Sequence, residues 1–202
     1  MSSRSSASRN DMDALDFGPA TTTMARLVTG VTDDQLTART PCPDYSVADL
    51  VDHIRVLSFA FTESARKGDV PAGEGRGDSS RLESGWREQI PRQLAELAEA
   101  WRDPAAYDGM TMAGPIEMPG AAAALVALDE VVVHGWDLAR STGQHFEVDH
   151  AAAAACLSFV ESFEAPADDD GGLFGPPVSV PADAAVVDRL IGATGRDPSW
   201  TP

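Results

Sequence analysis

Cysteine, lysine and basic charge are all scarce in this chain, and each scarcity removes a class of function. Its 202 residues hold 2 cysteines, Cys42 and Cys156, too few for the disulfide framework of a small secreted domain. Lys67 is the one lysine, and 15 basic residues face 32 acidic ones, a formal net charge of -17. A surface that acidic repels phosphate backbones, so nucleic acid is not an expected partner. No run of roughly 18 apolar residues is free of charge, which argues against any segment that spans a membrane. Met1 to Asn10 is polar and rich in Ser and Arg with no apolar stretch, so no signal peptide is expected and a cytoplasmic location is. Gly73-Glu74-Gly75-Arg76-Gly77 is no phosphate cradle, because no strand precedes it and an acid lies within it.

What the chain does have is helical periodicity. Residues 1–12 are expected to form a disordered tail. A first helix opens at Gly18-Pro19, where proline suits the first turn, with Ala20, Met24, Leu27, Val28 and Val31 as its apolar stripe. Ser46 and Asp49 form a capping box that starts a second helix, predicted to run to about Lys67 and close at Gly68, with Leu50, Ile54, Leu57 and Phe61 inward. From Arg81 to Arg102 the apolar spacing is nearly pure i, i+4 through Leu82, Trp86, Ile90, Leu94, Leu97 and Trp101, and Pro91 is predicted to kink or split that helix. The long connection from Asp103 to Gly120 reads as a small hairpin, Met110-Thr111-Met112 and Ile116-Glu117-Met118 around Ala113-Gly114-Pro115, and connections of that length often serve as lids. Further helices are predicted over Ala121 to Ser141, over Asp149 to Ala165 with Val148, Ala152, Cys156, Phe159, Val160 and Phe163 inward, and near Asp183 to Ile191. Trp200 is expected to pack back onto the body. Four or five such helices predict an all-α helical bundle over residues 13–167, with a C-terminal extension, residues 168–202, packed on it.

The most apolar of these helices also carries polar residues that need a reason to be there. Glu130 and His134 are four apart and stack on one face, Asp137 borders that face, and Val131 to Val133 with Trp136 surround them. A charge in such surroundings is costly unless paired, hydrogen-bonded or bound to a metal. His53, on or beside the buried stripe of the second helix, supplies a third donor of the right type. Bundles build metal sites from side chains on facing helices, and three ligands leave coordination positions open for chemistry. Spacing alone leaves two plainer readings open, a surface ion pair and a hydrogen-bonded core histidine. His145 and His150 read as surface residues, and the acids Glu161, Glu164 and Asp168 to Asp170 as a solvated face without the alternation of a calcium loop.

Three stretches carry a resemblance. Thr40-Pro41-Cys42-Pro43-Asp44-Tyr45-Ser46-Val47-Ala48-Asp49-Leu50-Val51-Asp52-His53, Glu130-Val131-Val132-Val133-His134-Gly135-Trp136-Asp137-Leu138-Ala139 and Gly195-Arg196-Asp197-Pro198-Ser199-Trp200 resemble a family of actinobacterial metal-binding proteins. That family is related to the N-terminal domain of mycothiol-dependent maleylpyruvate isomerase, within the DinB/YfiT-like superfamily. The resemblance covers roughly residues 18 to 202. It implies a four-helix bundle with one divalent metal, zinc first and nickel or another ion as alternatives, held by His53, Glu130 and His134. Asp137 would then orient a ligand or a bound water; in the rival hydrolase reading, Asp137 or Glu130 would be the catalytic base. The resemblance further implies that the metal activates the thiolate of mycothiol, a small-molecule cosubstrate, for transfer to or isomerisation of an electrophilic substrate. The isomerase carries a second, C-terminal domain, and the 37 or so residues after Ala165 are too few for it, so maleylpyruvate isomerisation itself is not expected. A metal-assisted hydrolase using bound water, a non-catalytic metal-braced bundle, and a homodimer through helix faces all stay open.

Overall fold

Six α-helices and one two-stranded hairpin make up the described part of the computed structural model, residues 14–69, 75–163 and 174–202. The expected tail at residues 1–12, part of the glycine-rich loop (70–74), Glu164 and the Asp168 to Gly172 loop lie outside those residues. Helix α1, Gly18–Thr29, starts beside Pro19 and buries Ala20, Met24, Leu27 and Val28 on the predicted face. Helix α2, Val47–Arg66, starts at the predicted capping box, where Ser46 Oγ accepts from the Asp49 N–H (3.2 Å) and the Asp49 carboxylate accepts from the Ser46 N–H (3.0 Å). Its end differs from the prediction. Lys67, not Gly68, takes the left-handed conformation, and the lysine Nζ donates to the Ala106 carbonyl (2.6 Å), a long-range tie that no local pattern announces.

Helix α3 spans Trp86–Ala100, shorter than predicted at its start. Gly85, at φ 92°, breaks the backbone between α3 and a separate 3-10 turn over Ser79–Arg81. Pro91 lies inside this single helix and does not split it. Proline removes one N–H there, near the N-terminal end, while Trp86, Ile90 and Leu94 keep that face buried.

Strands β1, Met110–Ala113, and β2, Ile116–Pro119, pair antiparallel with Ala113 opposite Ile116 across a Gly114-Pro115 turn. The hairpin is present as predicted, and with it the fold is mostly helical rather than strictly all-α. Its lid role is not what the docking suggests. Thr111 Oγ1 donates to the Ser64 carbonyl (2.6 Å) and Ser64 Oγ to the Met112 carbonyl (2.5 Å). Ser64 is 11 residues beyond His53 on α2, about 16 Å along the helix axis at the usual rise. The hairpin therefore seats at the other end of the helix.

Helix α4, Gly120–Thr142, closes at Gly143 in the left-handed region. Every residue from Ala127 to Ala139 is buried except Glu130. Such all-round burial marks a central helix. Helices α1 and α2 each pack against both α3 and α4, and α5, His150–Glu161, covers another side of α4. Helix α6, Val186–Ala193, packs on α5. Phe163, predicted inward, is 42% exposed; it ends the helix region in an edge-on ring cluster with Phe159 (5.0 Å) and Phe174 (6.0 Å). The C-terminal segment does return to the body, where Arg140 donates to the carbonyls of Pro198 (3.3 Å) and Trp200 (2.5 Å). No helix among the described residues is long and apolar enough to cross a membrane.

Candidate metal centre

Packing of α2 on α4 sets His53 opposite Glu130 and His134. One ligand atom from each of the three lies within 4.8 Å of the others. Glu130 Oε2 is 3.1 Å from His134 Nε2 and 3.6 Å from His53 Nε2. Donors around a tetrahedral zinc with bonds of about 2.1 Å sit about 3.4 Å apart, so these spacings suit a single ion with small side-chain adjustments. The two imidazoles meet edge to face, at 86° with centroids 4.8 Å apart. Both histidines are buried, while the Glu130 side chain keeps 31% of its surface. The opening of the site is therefore at the carboxylate.

The far side of each ring decides what the near side offers. His53 Nδ1 lies 2.6 Å from the Gly75 carbonyl, and His134 Nδ1 lies 2.9 Å from Asp137 Oδ2. Carbonyl and carboxylate oxygens only accept, so each Nδ1 carries the proton, and in the neutral ring each Nε2 is left as a bare lone pair facing Glu130. This tautomer is the one a metal needs.

Asp137 is fully buried and its oxygens are both taken. Arg196 Nε donates to Oδ1 (2.8 Å), and Arg196 Nη2 and His134 Nδ1 both donate to Oδ2 (2.9 Å each). Burial pushes the Asp137 carboxyl up, but Arg196 and then His134 outweigh it and hold it below the usual range. Burial works against the charged form of His134, yet hydrogen bonds to Asp137 and Glu130 prevail and raise its pKa to about 9 without a metal. Glu130 is likewise raised by burial and carried well below the carboxylate range by its two histidine partners. Neighbouring Asp129 goes the other way. Its Oδ1 has no hydrogen-bond partner among the described residues, and burial, helped by Glu130, pushes its carboxyl up to about 8.

The glycine-rich loop also takes part, as a brace for His53. Fully buried Asp52 accepts from Arg55 (2.8 Å), from Arg81 (2.8 Å) and from the Asp78 N–H (3.0 Å). Those bonds hold residues 75–81 over α2 and so place the Gly75 carbonyl. The Gly77 N–H donates to Tyr45 Oη (3.1 Å), and the Tyr45 ring lies 5.1 Å from the His53 ring. Gly77 passes so close to α2 that a Cβ there would run into the Asp49 carbonyl.

The structure thus brings His53, Glu130, His134 and Asp137 together and leaves the other histidines out. His145 is exposed and paired with Glu147 (2.8 Å), and His150 is exposed at the start of α5. Cys42 is partly buried, its thiol raised by burial and secondarily by Asp137; Cys156 is a core residue. A small apolar pocket of about 10 Å³ lined by Met24, Ile54, Leu57, Phe61, Leu97 and Val131 adjoins Glu130. Gly75, Asp52, Arg81 and Arg196 have no place in the sequence reading of the site. Their partners are 22 to 59 residues away in the chain, which no local spacing reveals.

Residues 17–139 match the family described as mycothiol maleylpyruvate isomerase N-terminal domain. All three candidate ligands and Asp137 fall inside that match, and Arg196 falls outside it. Two uncharacterized proteins of Mycobacterium tuberculosis, one from each of two strains, are each 28% identical over 180 residues, which is 85% of this chain and 91% of theirs. No solved structure gives a significant match.

Proposed function

The chain belongs to the family of the mycothiol maleylpyruvate isomerase N-terminal domain, and from that premise we propose that it is a divalent-metal protein using a small-molecule thiol, mycothiol, to transfer to or isomerise an electrophilic substrate. His53, Glu130 and His134 are the ligands, with zinc as the first choice for two imidazoles and a carboxylate. Helices α1 to α4 are the DinB/YfiT-like four-helix bundle on this reading, and residues 174–202 belong to an extension that serves the same site. A divalent ion there lowers the pKa of a coordinated thiol or water and so supplies a nucleophile at neutral pH.

The observation that carries the reading is the paired commitment of both Nδ1 atoms, to Gly75 and to Asp137, which leaves both Nε2 atoms aimed at one carboxylate. Charge supports it. Glu130 and Asp137 against Arg196 leave one uncompensated negative charge, which a proton on His134 cancels in the metal-free protein. A dication replaces that proton and leaves the pocket one charge positive, an invitation to an anionic ligand such as a thiolate. Glu130, the partly exposed member, stands where such a ligand enters, and the apolar side chains of Ile54, Leu57 and Val131 lie beside it. The Tyr45 ring packs beside His53, tilted against it with centroids 5.1 Å apart. Asp137, held on both oxygens, orients His134 instead of acting as a base. Thiols of this kind are kept reduced in the cytoplasm, which is where the reading places the protein.

The test is a conjugation assay on zinc-loaded protein with an electrophile such as a chlorodinitroarene, with and without mycothiol. Turnover that requires both zinc and mycothiol and disappears in His134→Ala is the expected result. Zinc-dependent ester hydrolysis with no response to mycothiol would replace the transferase with a hydrolase, and zinc bound without either activity would leave a metal brace.

A further inference from the structure

The family match stops at residue 139, yet a two-pronged hydrogen bond to Asp137 at the metal centre comes from beyond it. We propose that Arg196, in the C-terminal segment, is a positioning residue of the metal centre. Its grip on Asp137 fixes the carboxylate that orients His134, so metal affinity depends on a residue far outside the ligand-bearing helices. The inference rests on the metal reading above.

Several contacts converge on it. Arg196 approaches with two prongs, Nε to Oδ1 at 2.8 Å and Nη2 to Oδ2 at 2.9 Å, and Oδ2 is the same atom that accepts from His134 Nδ1. A planar guanidinium that meets a carboxylate this way fixes its plane as well as its position, which a lone ammonium does not. The arginine is itself well anchored. Its N–H donates to the Ile191 carbonyl (3.1 Å), and the preceding Gly195, at φ 83°, lies so close to Gly175 that any Cβ would meet Gly175 backbone atoms. The Arg196 side chain is 14% exposed and Asp137 is fully buried, so the grip is sheltered from solvent. Without it, the short side chain of Asp137 has no second contact to hold Oδ2 in line with the His134 ring.

Arg140 provides the control. It holds the same segment, through the Pro198 and Trp200 carbonyls, and its guanidinium forms no hydrogen bond or ion pair with Asp137 among the described residues. Zinc dissociation constants are measured by competition with a chromogenic chelator for wild type, R196M, R196K, R140M and H134A, together with visible spectra of the cobalt(II)-loaded proteins. The expected loss for R196M is about 10- to 100-fold, the usual consequence of removing a group that orients a metal-bound histidine, with an altered cobalt spectrum. R196K, with a single point charge, falls between R196M and wild type. R140M stays within about threefold of wild type and keeps its spectrum, since it only loosens the segment. Wild-type affinity in R196M, or in R196K should R196M not fold, overturns the proposal, and so does an equal loss in R140M. Undiminished zinc binding by H134A instead overturns the underlying assignment of the ligands.

Discussion

Replacing Asp137 with asparagine keeps the shape of the side chain and removes its charge, which isolates what the buried ion network contributes. The Asp137 side chain is 0% exposed and its partner Arg196 14%, so the guanidinium left behind has little water to turn to. Breaking one side of a buried pair typically costs about 3–5 kcal/mol, far above the 1 kcal/mol or less of a surface pair. In a domain of this size each kcal/mol moves the midpoint by about 2–4 °C, so the metal-stripped D137N protein should melt about 6–20 °C below wild type. The assay is calorimetry after dialysis against chelator, so that no bound ion contributes. R196M should fall by a similar amount, and D137N/R196M should recover part of the loss, because neither charge is then left alone. Two contacting residues that share one network are expected to couple by about 1–3 kcal/mol. A D137N midpoint within about 2 °C of wild type, or a double mutant as unstable as the two singles combined, would refute the claim that these charges depend on each other.

Three further outcomes follow from the same geometry. His134 is raised to about 9 in the metal-free fold against about 6.5 when unfolded. Its contribution, up to about 3 kcal/mol, is full below pH about 6.5 and fades as pH climbs through about 9, so urea midpoints should decline over that interval in wild type and not in H134A. Gly77→Ala puts a Cβ into the Asp49 carbonyl and should shift the loop that places Gly75 against His53, lowering stability by about 1–3 kcal/mol, measured by denaturant unfolding. The same variant should bind zinc less tightly, because His53 loses the acceptor that fixes its tautomer; unchanged affinity would mean that Gly75 does not orient the ring. Asp52→Asn should lower stability at least as much as Gly77→Ala and weaken zinc binding in the same two assays, since it removes the buried charge that Arg55 and Arg81 share.

Local signals explain which features could be read from the chain. The box at Ser46 and Asp49 lies within four residues, as does the pair Glu130 and His134, and both appear in the structure where their spacing places them. His53 was legible because the α2 register puts it beside Leu50 and Ile54, on the side that turns toward α4. Where the reading missed, the deciding contact is remote. The left-handed Lys67 is tied to Ala106, Phe163 is drawn into a ring cluster with Phe174, and the hairpin seats on Ser64 instead of over the trio. The orienting partners follow the same pattern. Gly75 lies in a loop without a phosphate-binding pattern, and Asp52 stands next to His53 with nothing local to mark its role. Arg196 lies in the Gly195 to Trp200 stretch that carries the resemblance, yet only folding brings it 59 positions back to Asp137.

The central claim is that two imidazoles and one carboxylate, on α2 and α4, hold a single ion. Elemental analysis of protein saturated with zinc and then desalted tests it most directly, with wild type run beside H134A. One equivalent of zinc per chain in wild type and almost none in H134A is the predicted result. Equal zinc in the two proteins would contradict it.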